Sequence, residues 1–186
     1  MDRKKLLAIL DRQIENKNII KHMLATEACM RALAKRLRAE NEEEWAIAGL
    51  IHDLDYQNNI PPEKHGTLVG EILAKEGINL PENVLHAIAA HNWHYTGVEP
   101  ESLMDWALFT CDSLTGLIVA CALVKGKKLA NVTVETVLKK FPDKRFAAGT
   151  RREDIKMCQE KLGISLEEFI EICLKAMQEI SEELGL

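Results

Sequence analysis

The spacing of apolar residues is the feature that most restricts how this chain can fold. Apolar residues recur every three or four positions along almost its whole length, as in helices that bury one face, and no segment sustains the every-second-residue alternation of a strand. Capping residues and prolines predict helices that begin near Asp2, Asn18, Asn41, His65, Pro81, Pro100, Val134, Arg151 and Ser165. The chain is therefore predicted to be all-α.

The length of the chain favours a single domain. With 186 residues, of which 47% are hydrophobic, it is long enough to bury a substantial core. It contains no internal repeat, low-complexity segment or obvious linker. We therefore expect residues 1–186 to form one helical bundle.

Charge and hydropathy exclude some classes of partner. A formal net charge of -5 argues against a protein that binds a nucleic-acid duplex, because phosphate recognition usually requires a basic excess. The first residues lack the features of a signal peptide, and no uninterrupted apolar run reaches the roughly 18 residues that span a bilayer. We expect a cytoplasmic protein that does not bind membranes, and the composition leaves its oligomeric state open.

Histidine and aspartate residues occur at unusual places in the apolar pattern. The stretch "AIAGLIHDLDYQ" ends an apolar helix with the pair His52-Asp53, and Asp112 lies inside the apolar run "ALFTCDSLTGLIVA". Further histidines lie on an apolar helix (His22), at a helix start (His65) and at a helix end (His91). Because a buried carboxylate is costly without a compensating partner, Asp112 indicates a metal ion.

The residue types restrict which metals the site would bind. Neutral imidazoles and carboxylates suit Fe, Mn, Ni, Co or Zn. The five cysteines are scattered without a Cys-x-x-Cys pair, and we interpret them as small buried apolar residues. The pattern therefore does not indicate a structural zinc finger.

The order of these residues resembles the HD-domain superfamily of metal-dependent phosphohydrolases, which is named for its His-Asp pair. The segments "HMLATEACMRALA", "AGLIHDLD", "HGTLVGEIL", "VLHAIAAHNWHYTG" and "LFTCDSLTGL" are similar to the successive ligand-bearing helices of that family and cover about residues 20–120. They also resemble bacterial HD hydrolases of diadenosine polyphosphates and the HDIG subgroup. The resemblance implies an all-α HD-domain bundle, with residues 125–186 as a C-terminal helical extension.

The resemblance also implies a ligand set and two divalent transition-metal ions. The first ion would be held by His22, His52, Asp53 and Asp112, and Asp53 would bridge to a second ion held by His65 and His91. The chain departs from the common H-D-I-G-K form, because Leu54, Asp55 and Tyr56 occupy the last three places. A lysine that would contact phosphate is therefore missing there.

The implied activity is hydrolysis of a phosphate ester or anhydride by a metal-activated water. The substrate would be a small phosphorylated molecule, with a nucleotide as the favoured class. Asp53 would be essential as the shared ligand. His94 and Asp55 are candidates for proton transfer or for orienting the ligands, with a loop histidine and a surface acid as the alternatives.

Two other functions remain open at the level of sequence. Some HD-fold proteins use four histidines and two aspartates to hold a di-iron centre that activates oxygen, and other HD-like modules are non-catalytic. The cations near Lys144-Arg145 and Arg151-Arg152 either meet substrate phosphates or belong to solvated loops. The long connection "FPDKRFAAGTRRE" is a candidate lid or substrate loop.

Overall fold

The structure is a computed structural model that describes residues 2–56 and 60–186. Its α-helices are α1 (Arg3–Gln13), α2 (Lys17–Arg36), α3 (Glu42–Ile51), α4 (Val69–Lys75), α5 (Glu82–Ala90), α6 (Trp93–Thr96), α7 (Leu103–Val124), α8 (Val134–Lys140), α9 (Arg152–Leu162), α10 (Leu166–Glu179) and α11 (Ser181–Leu184). Short 3₁₀ helices span Pro62–Lys64 and Leu129–Asn131. The described residues include no strand, which confirms the all-α prediction.

The two longest helices, α2 and α7, form the centre of the bundle. Helix α2 packs against α3, α7 and α10, and helix α7 also packs against α5 and α9. The core between them is fully buried and apolar, with Met30 and Leu33 from α2, Leu50 from α3, Leu114 from α7 and Phe169 from α10. Helices before and after the central pair therefore share one core, as expected for a single domain.

Close packing of α3 on α2 depends on Gly49. A Cβ atom at this position would lie 2.8 Å from the backbone carbonyl oxygen of Thr26, a separation that side chains do not tolerate. This approach brings the end of α3, where His52 lies, against the first half of α2, where His22 lies. The helix packing thus places two of the predicted ligands together.

Helix α7 corrects one expectation from the sequence. It has 22 residues and a mean hydropathy of 2.0 in its most apolar window, so length and composition alone would allow it to cross a membrane. The sequence prediction counts only uninterrupted apolar runs and therefore does not identify this helix as long enough to cross a membrane. In the structure, 61% of that window is buried inside the protein, as in the core helix of a bundle.

Several helix boundaries also differ from the predictions. Helix α7 begins at Leu103 because Ser102 and Asp105 form a reciprocal capping box, so the predicted start at Pro100 is wrong. Asn41 precedes α3 but makes no side-chain capping bond. The short helix α6 is not predicted by the pattern, since four residues are too few to show periodicity.

Candidate metal centre

Five different segments of the chain deliver the predicted ligands to one place. His22 projects from α2 and Asp112 from the middle of α7, while His52 and Asp53 follow the end of α3, His65 precedes α4 and His91 follows α5. Most of these positions are helix ends, where the backbone turns and a side chain can leave the packed face. The six side chains meet between α2, α3, α5 and α7.

The first group of atoms surrounds the Nε2 atom of His22. This atom lies 2.8 Å from Asp112 Oδ1, 3.2 Å from His52 Nε2 and 3.7 Å from Asp53 Oδ2. His52 Nε2 lies 3.5 Å from one carboxylate oxygen of Asp53 and 3.5 Å from Asp112 Oδ1. Two imidazoles and two carboxylates therefore converge on one small volume.

The second group shares Asp53 with the first. Asp53 Oδ1 lies 3.1 Å from His65 Nε2 and 3.7 Å from His91 Nε2. The two Nε2 atoms of His65 and His91 are 3.2 Å apart. In each group, three potential ligand atoms lie within 4.8 Å of one another, and Asp53 belongs to both groups.

The histidines at helix ends are oriented by the helices that precede them. The Nδ1–H of His52 donates to the carbonyl oxygen of Gly49 at 2.8 Å, and the Nδ1–H of His91 donates to the carbonyl oxygen of Ile88. Both acceptors lie three residues earlier, in the last turn of a helix, where carbonyl groups lack helical partners. The unused carbonyls thus fix the tautomer of both rings.

His22 is oriented by Thr115 on α7. The hydroxyl of Thr115 donates to the carbonyl oxygen of Asp112 at 2.8 Å. Because its proton is used there, its oxygen accepts the Nδ1–H of His22 at 3.1 Å. One threonine therefore aligns a ring on α2 with a carboxylate on α7.

His65 is oriented by Asp55, which is fully buried. The carboxylate accepts the Nδ1–H of His65 at 2.9 Å and also the backbone N–H groups of Gly66 and Leu68 at 2.9 and 3.0 Å. These bonds hold the segment before α4 in a turn, so the prediction that His65 starts a helix is wrong and α4 begins at Val69. Among the described residues, the partners of Asp55 are His65 and the backbone beside it, which favours the predicted orienting role of Asp55 over proton transfer.

The hydrogen bonds of the four histidines leave their Nε2 atoms facing the cluster. Two Nε2 atoms 3.2 Å apart, as in the pairs His22–His52 and His65–His91, need an electron-poor species between them. A proton or a metal ion meets that need. Four imidazole nitrogens and two carboxylates, without a nearby thiolate, form a donor set that fits divalent transition ions.

Electrostatics in the cluster raise the proton affinity of two histidines. Burial lowers the pKa of His22, but the hydrogen bond and charge of Asp112 and the charge of Asp53 outweigh it and raise that pKa to about 9. Burial likewise lowers the pKa of His65, but its hydrogen bonds to Asp53 and Asp55 raise it to about 10. Positive charge is thus strongly favoured at these two rings.

The pKa values of three other groups in the cluster, His91, Asp53 and Asp112, shift in the opposite direction. Burial and the neighbouring His52 lower the pKa of His91 to about 4. Burial raises the pKa of Asp53 and of Asp112, but the surrounding histidines outweigh it and lower both pKa values well below the usual range. Both carboxylates are therefore ionised and available as ligands at neutral pH.

A cleft of about 390 Å³ opens beside the cluster. Four of the six predicted ligands line it: Asp53, His65, His91 and Asp112. The rest of the wall includes Tyr56, Asn92, Phe109, Ser113, Gly149, Arg151 and Asp154. The last three come from the C-terminal third of the chain, so this part contributes directly to the surroundings of the site.

His94 does not line this cleft. Its ring lies beside Asp154, with Nε2 3.0 Å from both carboxylate oxygens, and 42% of its side chain is exposed. Asp154 lines the cleft and therefore connects His94 to its wall. The sequence carries no signal for Asp154, because an acidic residue in the first turn of a helix is ordinary.

The two neighbouring arginines at the start of α9 have different roles. Arg152 is buried and its five N–H groups meet the backbone carbonyls of residues 141, 143, 146, 147 and 150. Since a guanidinium has only five donors, Arg152 has none left for a substrate phosphate. Arg151 is exposed, lies over the ring of Tyr95 at 5.3 Å and lines the cleft.

Comparison with known families agrees with this geometry. The family model described as "HD domain" matches residues 19–117, which is more than half of the chain. The chain belongs to the HD-domain family. The predicted membership of the HD-domain superfamily is thereby confirmed. No curated protein and no solved structure matches the chain.

Membership of the HD-domain family places the protein in a superfamily of metal-dependent hydrolases, although members with other roles exist. The His-Asp pair for which the family is named is His52-Asp53, at the centre of the cluster. The HD domain implies binding of divalent metal, and the His and Asp groups described above can hold it. Gly149, Arg151 and Asp154 lie beyond the matched residues.

Proposed function

We propose that the protein is a metal-dependent phosphohydrolase that cleaves a phosphate ester or anhydride of a nucleotide or a related small metabolite. The observation that carries this proposal is the sharing of Asp53 by two groups of potential ligands beside an open cleft. Two ions a few ångströms apart are the arrangement that two-metal phosphate hydrolases use.

The chain's residues would divide between two metal positions. His22, His52 and Asp112 would hold one ion, His65 and His91 would hold the other, and Asp53 would contact both. When bound, divalent ions supply Lewis acidity, which makes water more acidic and offsets negative charge on a phosphoryl group. Because the imidazoles are neutral ligands, the two aspartates would offset only part of the charge of two divalent ions. The remaining positive charge would favour an anionic substrate.

Two further residues on the cleft wall would act on the substrate and on protons. The guanidinium of Arg151 is positioned by Tyr95 and exposed to the cleft, so it can bind oxygens of a substrate phosphate. The carboxylate of Asp154 faces the same cleft and can accept the proton that the attacking water loses. His94 donates to that carboxylate and would position it.

Asp55 would act through His65 and would not touch the substrate. Its carboxylate is buried, and within the described part of the chain its hydrogen bonds go to the segment of residues 65–68. This is the arrangement in which a carboxylate fixes the orientation of a metal-ligating histidine and increases its basicity.

A phosphate-release screen tests the proposed function. Purified protein is stripped of metal, reloaded separately with Mn, Fe, Co, Ni or Zn, and assayed against nucleoside monophosphates, nucleoside diphosphates and dinucleoside polyphosphates. We expect release with at least one metal and substrate class and none in the stripped protein. Absence of release from every combination, with metal bound, would overturn the proposal and leave the di-iron oxygenase and the non-catalytic module.

A further inference from the structure

At eight of the ten glycines, the structure disfavours a side chain, either through the backbone conformation or through a close neighbour. Six have a positive φ that side chains disfavour, namely Gly66, Gly77, Gly97, Gly126, Gly163 and Gly185. At two more, an added Cβ would come within 2.9 Å of a neighbouring atom, in the backbone of Thr26 for Gly49 and at the end of the Leu85 side chain for Gly70. Gly116 and Gly149 have neither reason.

Gly116 is the more informative of these two. It lies inside helix α7, where glycine destabilises the helix relative to alanine. A Cβ atom at Gly116 would meet no atom of the residues that the structure describes within 4 Å, and a Cβ atom at Gly149 would meet none either. The structure therefore has room for a side chain at both positions, and packing does not explain why there is none.

Both glycines border the same groove. It has a volume of about 370 Å³ and lies between α7 and the loop that precedes α9. One wall consists of Asp112, Ser113 and Gly116, and the other of residues 147–150. The groove continues into the cleft of the metal centre, because Asp112, Ser113 and Gly149 line both.

The loop wall of this groove is fixed in place. The guanidinium of Arg152 binds carbonyl oxygens along residues 141–150, including those of Ala147 and Thr150. A loop held by one buried side chain can keep a constant distance from α7. Contacts within the chain, namely those of Arg152, therefore hold the loop wall that faces α7.

We propose that this groove binds the uncharged organic part of the substrate, a nucleoside, while its phosphate occupies the cleft at the metal centre. This inference rests on the proposed function and identifies where the substrate lies. Apart from Asp112, the described residues that line the groove carry no charged side chain. The hydroxyls of Ser113 and Thr150 and the backbone of Ala148 and Gly149 can provide partners for sugar hydroxyls and base edges. The two glycines leave the space that a flat base needs.

The kinetics of a variant with a larger side chain at position 116 test the proposal. Gly116→Leu is expected to raise the KM for a nucleoside monophosphate at least 10-fold, to leave the inhibition constant of inorganic phosphate unchanged, and to retain the wild-type metal content. Ala74→Leu is the matched control, because Ala74 is an exposed helical residue on α4 away from the groove. It should leave all three values at the wild-type level.

Thermal stability shows whether substitution of Gly116 acts by filling the groove or by damaging the fold. Gly116→Ala should raise the Tm by about 1–3 °C, because the Cβ meets no neighbour and alanine favours the helix. A lower Tm in Gly116→Ala would show that the glycine is needed for packing and would overturn the proposal. An unchanged KM in a folded Gly116→Leu protein would overturn it as well.

Nuclear magnetic resonance gives a readout that does not depend on hydrolysis. Adenosine, guanosine, cytidine and uridine are added separately to ¹⁵N-labelled protein, and the backbone amide signals of Gly116, Gly149 and Gly77 are followed. We expect at least one nucleoside to shift the first two signals and not that of Gly77, which has no contact with the groove. No shift from any nucleoside would overturn the proposal. Shifts without phosphate release would support the groove while contradicting the proposed hydrolase function.

Discussion

Asp55 and Asp105 are buried carboxylates with the same kinds of partner. Asp55 accepts from His65 Nδ1 and from two backbone N–H groups, and Asp105 accepts from His86 Nδ1 at 2.9 Å and from the N–H groups of residues 101 and 102. Only His65 belongs to the candidate metal centre. A comparison of variants at Asp55 and Asp105 can therefore distinguish a role in the metal centre from a role in the fold alone.

Asp55→Ala should weaken metal binding selectively. We expect the affinity for one ion to fall by about 10–100-fold, because His65 loses the group that orients it, while the ion near His22 is retained. Asp105→Ala should also destabilise the protein but keep both ions. Calorimetric titration of metal into both variants measures the difference, and equal metal binding in the two would contradict the role assigned to Asp55.

Metal uptake should release protons. With pKa values of about 9 and 10, His22 and His65 are protonated in metal-free protein at pH 7, and a metal ion must displace both protons. Because these pKa values are raised, metal affinity should increase with pH and level off above about pH 10. Titration calorimetry in buffers of different ionisation enthalpy should give about two protons released at pH 7, and no release would contradict the predicted charges.

His94→Ala should separate proton transfer from metal binding. His94 contacts Asp154 and no predicted ligand, so the variant should keep the wild-type metal content. If the pair manages the proton of the attacking water, turnover should fall by about 10²–10⁴-fold and its pH dependence should change. Unaltered turnover and pH profile would show that His94, which lies in α6, takes no part in proton transfer.

At the scale of elements, the loop before α9 shows what the sequence could not predict. Its unusual length predicts a candidate substrate loop, and residues 147–151 line the cleft and the groove beside the metal centre. The sequence, however, does not distinguish the roles of the two arginines at the end of this loop, Arg151 and Arg152. Only the fold turns Arg152 inward to the loop carbonyls and leaves Arg151 exposed, because that choice depends on the path of the loop.

Arg152→Lys should loosen this loop. A lysine offers three donors from one point and cannot reach carbonyls spread over residues 141–150. We expect a loss of about 1–3 kcal/mol in the free energy of unfolding, by analogy with other buried hydrogen-bonded groups. Hydrogen exchange should become faster in residues 143–150 while metal content is retained, and unchanged exchange there would show that the loop is held by other contacts.

For the whole molecule, the helical class and the approximate helix order follow from periodicity alone, whereas the meeting of the site residues does not. Spacing within a helix is local, but His22 and Asp112 are far apart in sequence and meet only because α2 and α7 pack together. The family resemblance supplies that long-range information. Asp154, which lies outside the resembling segment, could not be found in the same way.

The central claim is that Asp53 is shared by two metal ions that carry out phosphate hydrolysis. The most direct measurement is metal content and phosphate release in the same samples of wild-type and Asp53→Ala protein. We predict two ions per wild-type chain, and less metal, no phosphate release and a lower Tm in the variant, since a bound ion stabilises the native state. Full phosphate release by Asp53→Ala, or a single ion in wild-type protein supplied with excess metal, would contradict the claim.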